Sequence, residues 1–285
     1  MIDLHTHSDC SDGSLSPTEL VRLAATSGLS ALALTDHDTV AGLDEALAAC
    51  RSAHIRFLGG VEFEAAFSPG KLHILGIGLT DWHGRLEHRL IEMREKRTER
   101  NKRIIDKMQR AGIEATLADI EKIAVGNVVG RPHFAEFLVQ RGLVRTIQEG
   151  FDRYLATGKR FYAKRDNLQP AEVVALIREA GGKAVLAHPL SLKVGLRRLA
   201  GLIESFKAIG MEGIEAYHAN APLSVAERIA AIALAAGLIV TAGSDFHGDY
   251  RPDRRLGRGA GGRPIGEEYL KPFLDGASLS GPSKP

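Results

Sequence analysis

Short apolar runs alternate with longer amphipathic stretches through most of the chain. Ile2 to His7 is apolar and then turns polar, which predicts a first strand. Ser16-Pro17-Thr18-Glu19 combines an N-cap serine, a first-turn proline and an acid three residues after the cap, so a helix runs from there to Gly28. Ala31 to Thr35 is a buried strand ending at Asp36-His37-Asp38, and a helix follows from about Val40 to Ala53. Ile55 to Glu64 and Lys71 to Leu79 are two strands flanking the Pro69-Gly70 turn.

The alternation stops at Asp81. A long charged helix spans Gly84 to Arg110 and closes at Gly112, with shorter helical stretches near 117–124, 132–141 and 146–156. No strand is predicted between Asp81 and Arg160. Afterwards helices at 170–180, 196–209 and 221–236 alternate with strands at 182–187, 213–217 and 238–242. Repeated strand–helix units predict a parallel α/β sheet, and about seven strands favour a closed (β/α) barrel over an open sheet. The domains expected are a discontinuous barrel over 1–80 and 161–275, a helical insertion or cap over 81–160, and a flexible tail over 276–285.

Composition excludes several classes. The 285 residues are 44% apolar and 25% charged, so a full core can form, and 37 basic against 35 acidic residues exclude a polybasic protein. Two cysteines, Cys10 and Cys50, exclude a disulfide framework and a Cys-rich zinc module, and both are expected as reduced thiols. The opening MIDLHTHSDCSDG carries no leader pattern, and the uncharged run Ile229 to Ser244 is too short to span a bilayer. A cytoplasmic protein with no membrane role and no obligate protein partner is expected.

Histidine changes the picture: there are 11, and many end apolar runs. His5 and His7 close the first strand, His37 follows the second, Glu62 closes the third, His73 lies in the fourth, His188 ends a later one, and Asp245 and His247 end the last. Ligands of parallel α/β folds gather at the carboxyl ends of strands. His5-x-His7 and Asp245-x-His247 each place two side chains on one face, and Asp12 in the Ser11-Asp12-Gly13 turn is near enough to reach back. His54, His83 and His88 read as ordinary surface or loop residues. Imidazole and carboxylate without thiolate suit Zn, Mn or Fe. Nine candidate ligands exceed one ion's needs, so two or three divalent ions are implied, which suits displacement at phosphorus.

His5-Thr6-His7 with Ser11-Asp12-Gly13, Thr35-Asp36-His37-Asp38, Gly60-Val61-Glu62, His73, Ala187-His188-Pro189 and Gly243-Ser244-Asp245-Phe246-His247 resemble the PHP (polymerase and histidinol phosphatase) superfamily, over the first residues to about Gly248. The resemblance implies a distorted (β/α)7 barrel with a di- or trinuclear metal site, Mn2+ foremost with Zn2+ or Fe2+ as alternatives, and phosphoester hydrolysis by a metal-activated water. It implies one metal on His5, His7, Glu62 and Asp245, a second sharing Glu62 with His73 and His188, and a third on Asp12, His37 and His247. Within the insertion, Arg94-x-x-Arg97-x-x-Arg100, Gly130-Arg131-Pro132-His133-Phe134-Ala135 and Tyr154-Leu155-Ala156-Thr157-Gly158-Lys159 resemble a bacterial branch with nucleoside 3′,5′-bisphosphate phosphatases and 5′-to-3′ exonucleases of short RNA. Two segments depart from that branch. Ala221 stands where it carries a histidine, leaving His218 as the nearby catalytic candidate, and Leu190-Ser191-Leu192 replaces its Gly-Arg-Tyr.

Charge adds substrate-binding candidates. Residues 84–111 carry ten Lys/Arg and five Asp/Glu. Arginines three apart drift about 60° per step, so two neighbours, Arg97 and Arg100, are favoured to face one pocket. Arg131, after a glycine at a helix start, is suited to a phosphate, and His133 and Lys164 join it as candidates. The basic tract Arg251 to Arg263 reads as a mobile surface loop, with an RNA-tracking arm as its alternative. The substrate expected is a small phosphorylated nucleotide cleaved at a 3′-phosphate, with a short 5′-phosphorylated RNA or DNA oligonucleotide as the alternative. A C–N amidohydrolase and a non-catalytic metal module are weaker readings.

Overall fold

The computed structural model describes residues 1–124, 129–164 and 167–274. The expected tail, 276–285, lies outside them. The chain divides into two compact units, Met1–Leu90 with Asn167–Pro285, and Ile91–Asp166.

The first unit holds one seven-stranded sheet in sequence order: β1 (Ile2–Asp3), β2 (Ala31–Leu34), β3 (Arg56–Ala65), β4 (Leu72–Leu79), β5 (Lys183–Leu186), β6 (Gly213–His218) and β7 (Ile239–Gly243). It closes on itself. Beyond β1 and β7, Thr6 bridges Phe246 in parallel, with His7 N–H donating to Phe246 O (2.9 Å) and Asp245 N–H to His5 O (2.9 Å).

The sheet is not wholly parallel, as the strand–helix alternation predicts. β4 runs antiparallel to both β3 and β5. The link from β3 to β4 is only six residues, far too short for a crossover, so a hairpin is the outcome. The reversal brings the start of β4 to the end of the barrel where the other strands finish. β3 also continues past Glu62 to Ala65, so Glu62 sits within the strand rather than closing it.

Helices α1 (Pro17–Thr26), α2 (Leu43–Ala53), α7 (Pro170–Glu179), α8 (Leu196–Ala208) and α9 (Leu223–Ala235) accompany the strands. α1 has its predicted capping box, with Ser16 Oγ accepting from Glu19 N–H and Glu19 Oε2 from Ser16 N–H (2.9 Å). α2 starts three residues later than its pattern suggests, because Asp38 turns left-handed (φ 51°) and the chain needs Gly42 as the N-cap. α9 starts after Pro222, which takes the N-cap. Ile2, Leu4, Leu75, Ile77 and Val185 pack with Ile265, Leu270 and Phe273 of the C-terminal segment. Each such buried side chain contributes roughly 1.5–3 kcal/mol.

The second unit contains most of α3 (Arg85–Gln109), then α4 (Leu117–Glu121), α5 (Arg131–Gln140), α6 (Ile147–Gly150) and a π-helical turn at Phe151–Leu155. Its own core gathers Ile104, Met108, Ile120, Phe134, Leu138, Leu155 and Phe161. Among the described residues it has no strand, and its boundaries fall after Leu90 and Asp166 rather than at 80/81 and 160/161. No helix of the described residues is long and apolar enough to cross a membrane.

Both cysteines are free. Burial pushes the Cys50 thiol up to about 12, and burial with the Asp36 charge pushes Cys10 up to about 11. Alkylation of Cys10 in the native protein at pH 7.5 should therefore run roughly 300-fold slower than for a free cysteine, and that of Cys50 slower still. Rapid native labelling of either thiol would contradict these surroundings.

Candidate metal centre

β3, β4 and β6 carry Glu62, His73, Glu215 and His218 to one end of the barrel, and the loops after β1, β2, β5 and β7 supply the remainder. Glu62 (β3) is fully buried and has five imidazoles around it. Its Oε2 lies 3.3 Å from His5 Nε2, 3.4 Å from His7 Nε2 and 3.1 Å from His37 Nδ1. Its Oε1 lies 2.8 Å from His73 Nδ1 and 2.9 Å from His188 Nε2. Asp245 Oδ1 reaches His7 Nε2 (3.0 Å) and His5 Nε2 (3.4 Å). Asp12 Oδ1 lies 3.2 Å from His247 Nε2 and 3.8 Å from His7 Nδ1, and its Oδ2 lies 3.8 Å from His37 Nε2.

The nine residues proposed from sequence as ligands thus come together. Three overlapping groups have the spacing of metal sites: His5, His7, Glu62 and Asp245; His37, Glu62 and His73; and His7, Asp12, His37 and His247. His37 spans the second and third groups instead of belonging to the third alone. His188 stands at Glu62 Oε1 beside the second.

The hydrogen-bond network fixes several tautomers, and these show that the residues fit cations. His5 Nδ1–H donates to Glu215 Oε1 (2.9 Å), so its Nε2 lone pair faces His7 Nε2 at 3.1 Å. Ser191 Oγ donates to Lys71 O (2.9 Å) and accepts from His188 Nδ1–H (3.1 Å), which turns the His188 Nε2 lone pair onto Glu62 Oε1. His247 Nδ1–H donates to Asp245 O (2.7 Å), which turns its Nε2 lone pair onto Asp12 Oδ1. Acceptor faces acceptor at each place, an arrangement that needs a positive centre between them. A tetrahedral ion with ligands at 2.0–2.2 Å has ligand–ligand edges of about 3.3–3.6 Å. The five distances above among His5, His7, Glu62 and Asp245 run from 3.0 to 3.4 Å.

The electrostatics carry the same demand for positive charge at the cluster. Burial would raise Glu62 and Asp245, yet the surrounding histidines hold both carboxyls well below the usual range. Burial and the charge of His247 press His7 down to about 3. Burial would also lower His5, but Glu215, Asp245 and Glu62 together raise it well above the ordinary imidazole range.

Behind these ligands stand further polar residues, several of which the sequence analysis does not single out. Asp3, fully buried, accepts from His5 N–H, Ser244 N–H, Ser244 Oγ–H and Gly257 N–H, and burial pushes its carboxyl up to about 6. Asp36 likewise accepts from Ser8 and Ser11. Arg254 contradicts the mobile-loop expectation for its tract. It is 7% exposed, donates to Asp245 O (2.9 Å) and contacts Asp245 Oδ2. His218, the catalytic candidate, stands behind Asp245: Asn220 N–H donates to its Nδ1, so Nε2 carries the proton and donates to Asp245 Oδ2 (3.1 Å). Acids inside apolar runs, Ile2-Asp3-Leu4 and Ile214-Glu215-Ala216, are the signal that could have found the first and the further carboxylate.

A cavity of ≈ 330 Å³ opens beside the cluster, with Lys71, Arg251 and Arg254 among its polar lining and Pro189, Leu190, Ala221 and Ile229 among its apolar walls. The other candidates belong to the helical unit. Arg131 begins α5, lies over the Tyr162 ring (5.7 Å) and reaches Leu155 O (3.5 Å). His133 Nδ1 accepts from Gly130 N–H (3.1 Å), Lys164 O accepts from Arg103, Arg97 is half-buried and Arg100 is buried.

The PHP domain matches residues 3–162. The chain belongs to the PHP family of phosphoesterases. It is 37% identical over 245 residues to a 5′-3′ exoribonuclease of Haemophilus influenzae, covering 86% of this chain and 89% of that one. It is 36% identical over 274 residues to a 3′,5′-nucleoside bisphosphate phosphatase of Chromobacterium violaceum, covering 95% and 93%. Among solved structures, a C. violaceum protein described as an amidohydrolase with bound sulfate and no metal superposes with TM-score 0.79 at 35% identity, over 95% and 96% of the two chains. The PHP fold of the barrel is thereby shown.

Purified protein should carry about two to three divalent ions per chain. His7→Ala and Asp245→Ala should each lower metal content, read by elemental analysis, together with activity. Full metal content in both variants would break the ligand assignment.

Proposed function

We propose that this enzyme removes the 3′-phosphate from a nucleoside 3′,5′-bisphosphate. The observation that carries the reading is the convergence of nine metal-type ligands beside a cavity with cationic side chains, in a chain 36% identical to a bisphosphate phosphatase over nearly its whole length. His5, His7, Glu62 and Asp245 would hold one ion, Glu62, His73 and His188 with His37 alongside would hold a second, and Asp12, His37, His247 and His7 would hold a third. Mn2+ is the ion assigned, on the mixed imidazole and carboxylate donors. Divalent ions bound there would supply Lewis acidity, acidifying water and offsetting charge on phosphoryl oxygens.

The chain's own residues have separable tasks. Lys71 and Arg251, at the cavity beside the cluster, draw in the phosphorylated end of the substrate. His218 keeps its proton on Nε2, against Asp245, and so steadies a ligand rather than serving as a base. Pro189, Leu190, Ala221 and Ile229 give the cavity an apolar wall that suits the nucleoside part. Arg97, Arg100, Arg131, His133 and Lys164 are assigned to the non-reacting phosphate, on the +5 charge of residues 84–111 and on the residue types. Binding energy from that remote group can hold the reacting phosphate in line for attack.

A second reading, 5′-to-3′ cleavage of short 5′-phosphorylated oligonucleotides, is favoured by the relatives named exoribonucleases, at 37% identity in H. influenzae and 31% in Escherichia coli. Both readings use one metal centre and a 5′-phosphate anchor.

Phosphate release in Mn(II) should be far faster from a 3′,5′-bisphosphate than from the 3′-monophosphate of the same nucleoside. Faster turnover of a 5′-phosphorylated dinucleotide would favour the second reading. Arg131→Ala should lower kcat/KM for the bisphosphate roughly 10- to 150-fold, the worth of one charge-assisted contact, and leave an aryl phosphate nearly unaffected. Equal loss on both substrates would mean that Arg131 supports the fold.

A further inference from the structure

Glu215 belongs to none of the three groups with metal-site spacing, yet both of its oxygens are spent on residues in or beside them. It lies within β6, fully buried. Oε1 accepts the His5 Nδ1–H at 2.9 Å and Oε2 accepts the His188 backbone N–H at 2.8 Å. His5 belongs to the group with His7 and Asp245, and His188 stands at the opposite oxygen of Glu62. One carboxylate therefore braces ligands of two neighbouring metal groups.

Two features show that the fold is built around this contact. His188 takes a positive φ of 25°, a strained backbone for a residue with a side chain, and its N–H is held there by Glu215. On β7, a Cβ at Gly243 would lie 2.4 Å from Glu215 Oε1 and 2.4 Å from His5 Cβ. Only glycine leaves room for the pair.

We infer that Glu215 is a positioning residue that fixes the His5 tautomer and the His188 backbone together, so that its loss weakens two metal groups at once. The inference rests on the metal-centre reading above. The reasoning is one of donors and acceptors. His5 binds a cation through Nε2 only while its proton stays on Nδ1, and a carboxylate at Nδ1 keeps it there. A glutamine at this position has the same shape but one donor end. Turned toward His5, its NH2 would drive the imidazole proton onto Nε2 and remove the ligand lone pair. Turned toward His188, its NH2 would oppose the backbone N–H. The first orientation satisfies both hydrogen bonds but gives up the His5 lone pair that binds a cation, and the second leaves the His188 N–H opposed, so the first is the one expected.

The test uses Glu215→Gln and Glu215→Asp in the full chain, with no substrate present. Zn(II) affinity is measured by chelator competition, fold by thermal melting in excess chelator, and the His5 ring N–H by proton NMR of the zinc-loaded protein. Glu215→Gln should melt in chelator close to the native protein, bind zinc about 10- to 100-fold more weakly, and lack the His5 Nδ1–H signal. Glu215→Asp keeps the charge but withdraws the oxygens by one methylene, and should also bind more weakly. Native zinc affinity with a retained Nδ1–H signal in Glu215→Gln would overturn the inference. So would native affinity in Glu215→Asp, since charge alone would then suffice. A substrate other than a nucleotide would overturn the proposed reaction and leave these results unchanged.

Discussion

A single buried carboxylate, Glu62, has five imidazoles around it, with no water-facing escape for the charge. Burying an ion without compensation costs several kcal/mol even after relaxation. The histidines cannot all compensate as hydrogen-bond donors, because those whose tautomers the network fixes present lone pairs to the cluster. Positive charge must come from added cations or from protons, and the near-tetrahedral spacing around His5, His7, Glu62 and Asp245 suits a metal ion. The surrounding structure serves that demand. Glu215, Asp3 and Arg254 hold the ligands from behind, and Asp245 is kept left-handed (φ 54°) by bonds from its own N–H to His5 O and from Arg254 and His247 to its carbonyl.

The barrel supplies convergence. Parallel strands place their ends together, and the one reversed strand, β4, contributes from its beginning instead, which is why His73 sits only two residues into it. The closing bonds from His7 N–H to Phe246 O and from Asp245 N–H to His5 O bring His5, His7, Asp245 and His247, more than 230 residues apart in sequence, to one point.

What the sequence shows plainly is local. The Ser16–Glu19 capping box, the strand and helix periods, and the histidines at strand ends are all set by near neighbours. The direction of β4 was open to the same logic, since a six-residue link forbids a crossover. Glu215 and Arg254 were less legible for a different reason. A glutamate in a strand or an arginine among glycines is ordinary on a surface, and only the tertiary packing buries these two against His5 and Asp245. The start of α2 was missed because left-handed Asp38 is a tertiary requirement of the site.

The central claim is that this cluster is a polynuclear metal centre, from which phosphoester hydrolysis follows. The most direct measurement is anomalous diffraction from crystals grown with Mn(II), recorded on both sides of the manganese absorption edge. The account predicts a strong peak enclosed by His5, His7, Glu62 and Asp245, and at least one more among the ligands shared through Glu62, His37 or Asp12. Crystals saturated with Mn(II) that show no anomalous density among these residues, with the side chains held as described here, would contradict it.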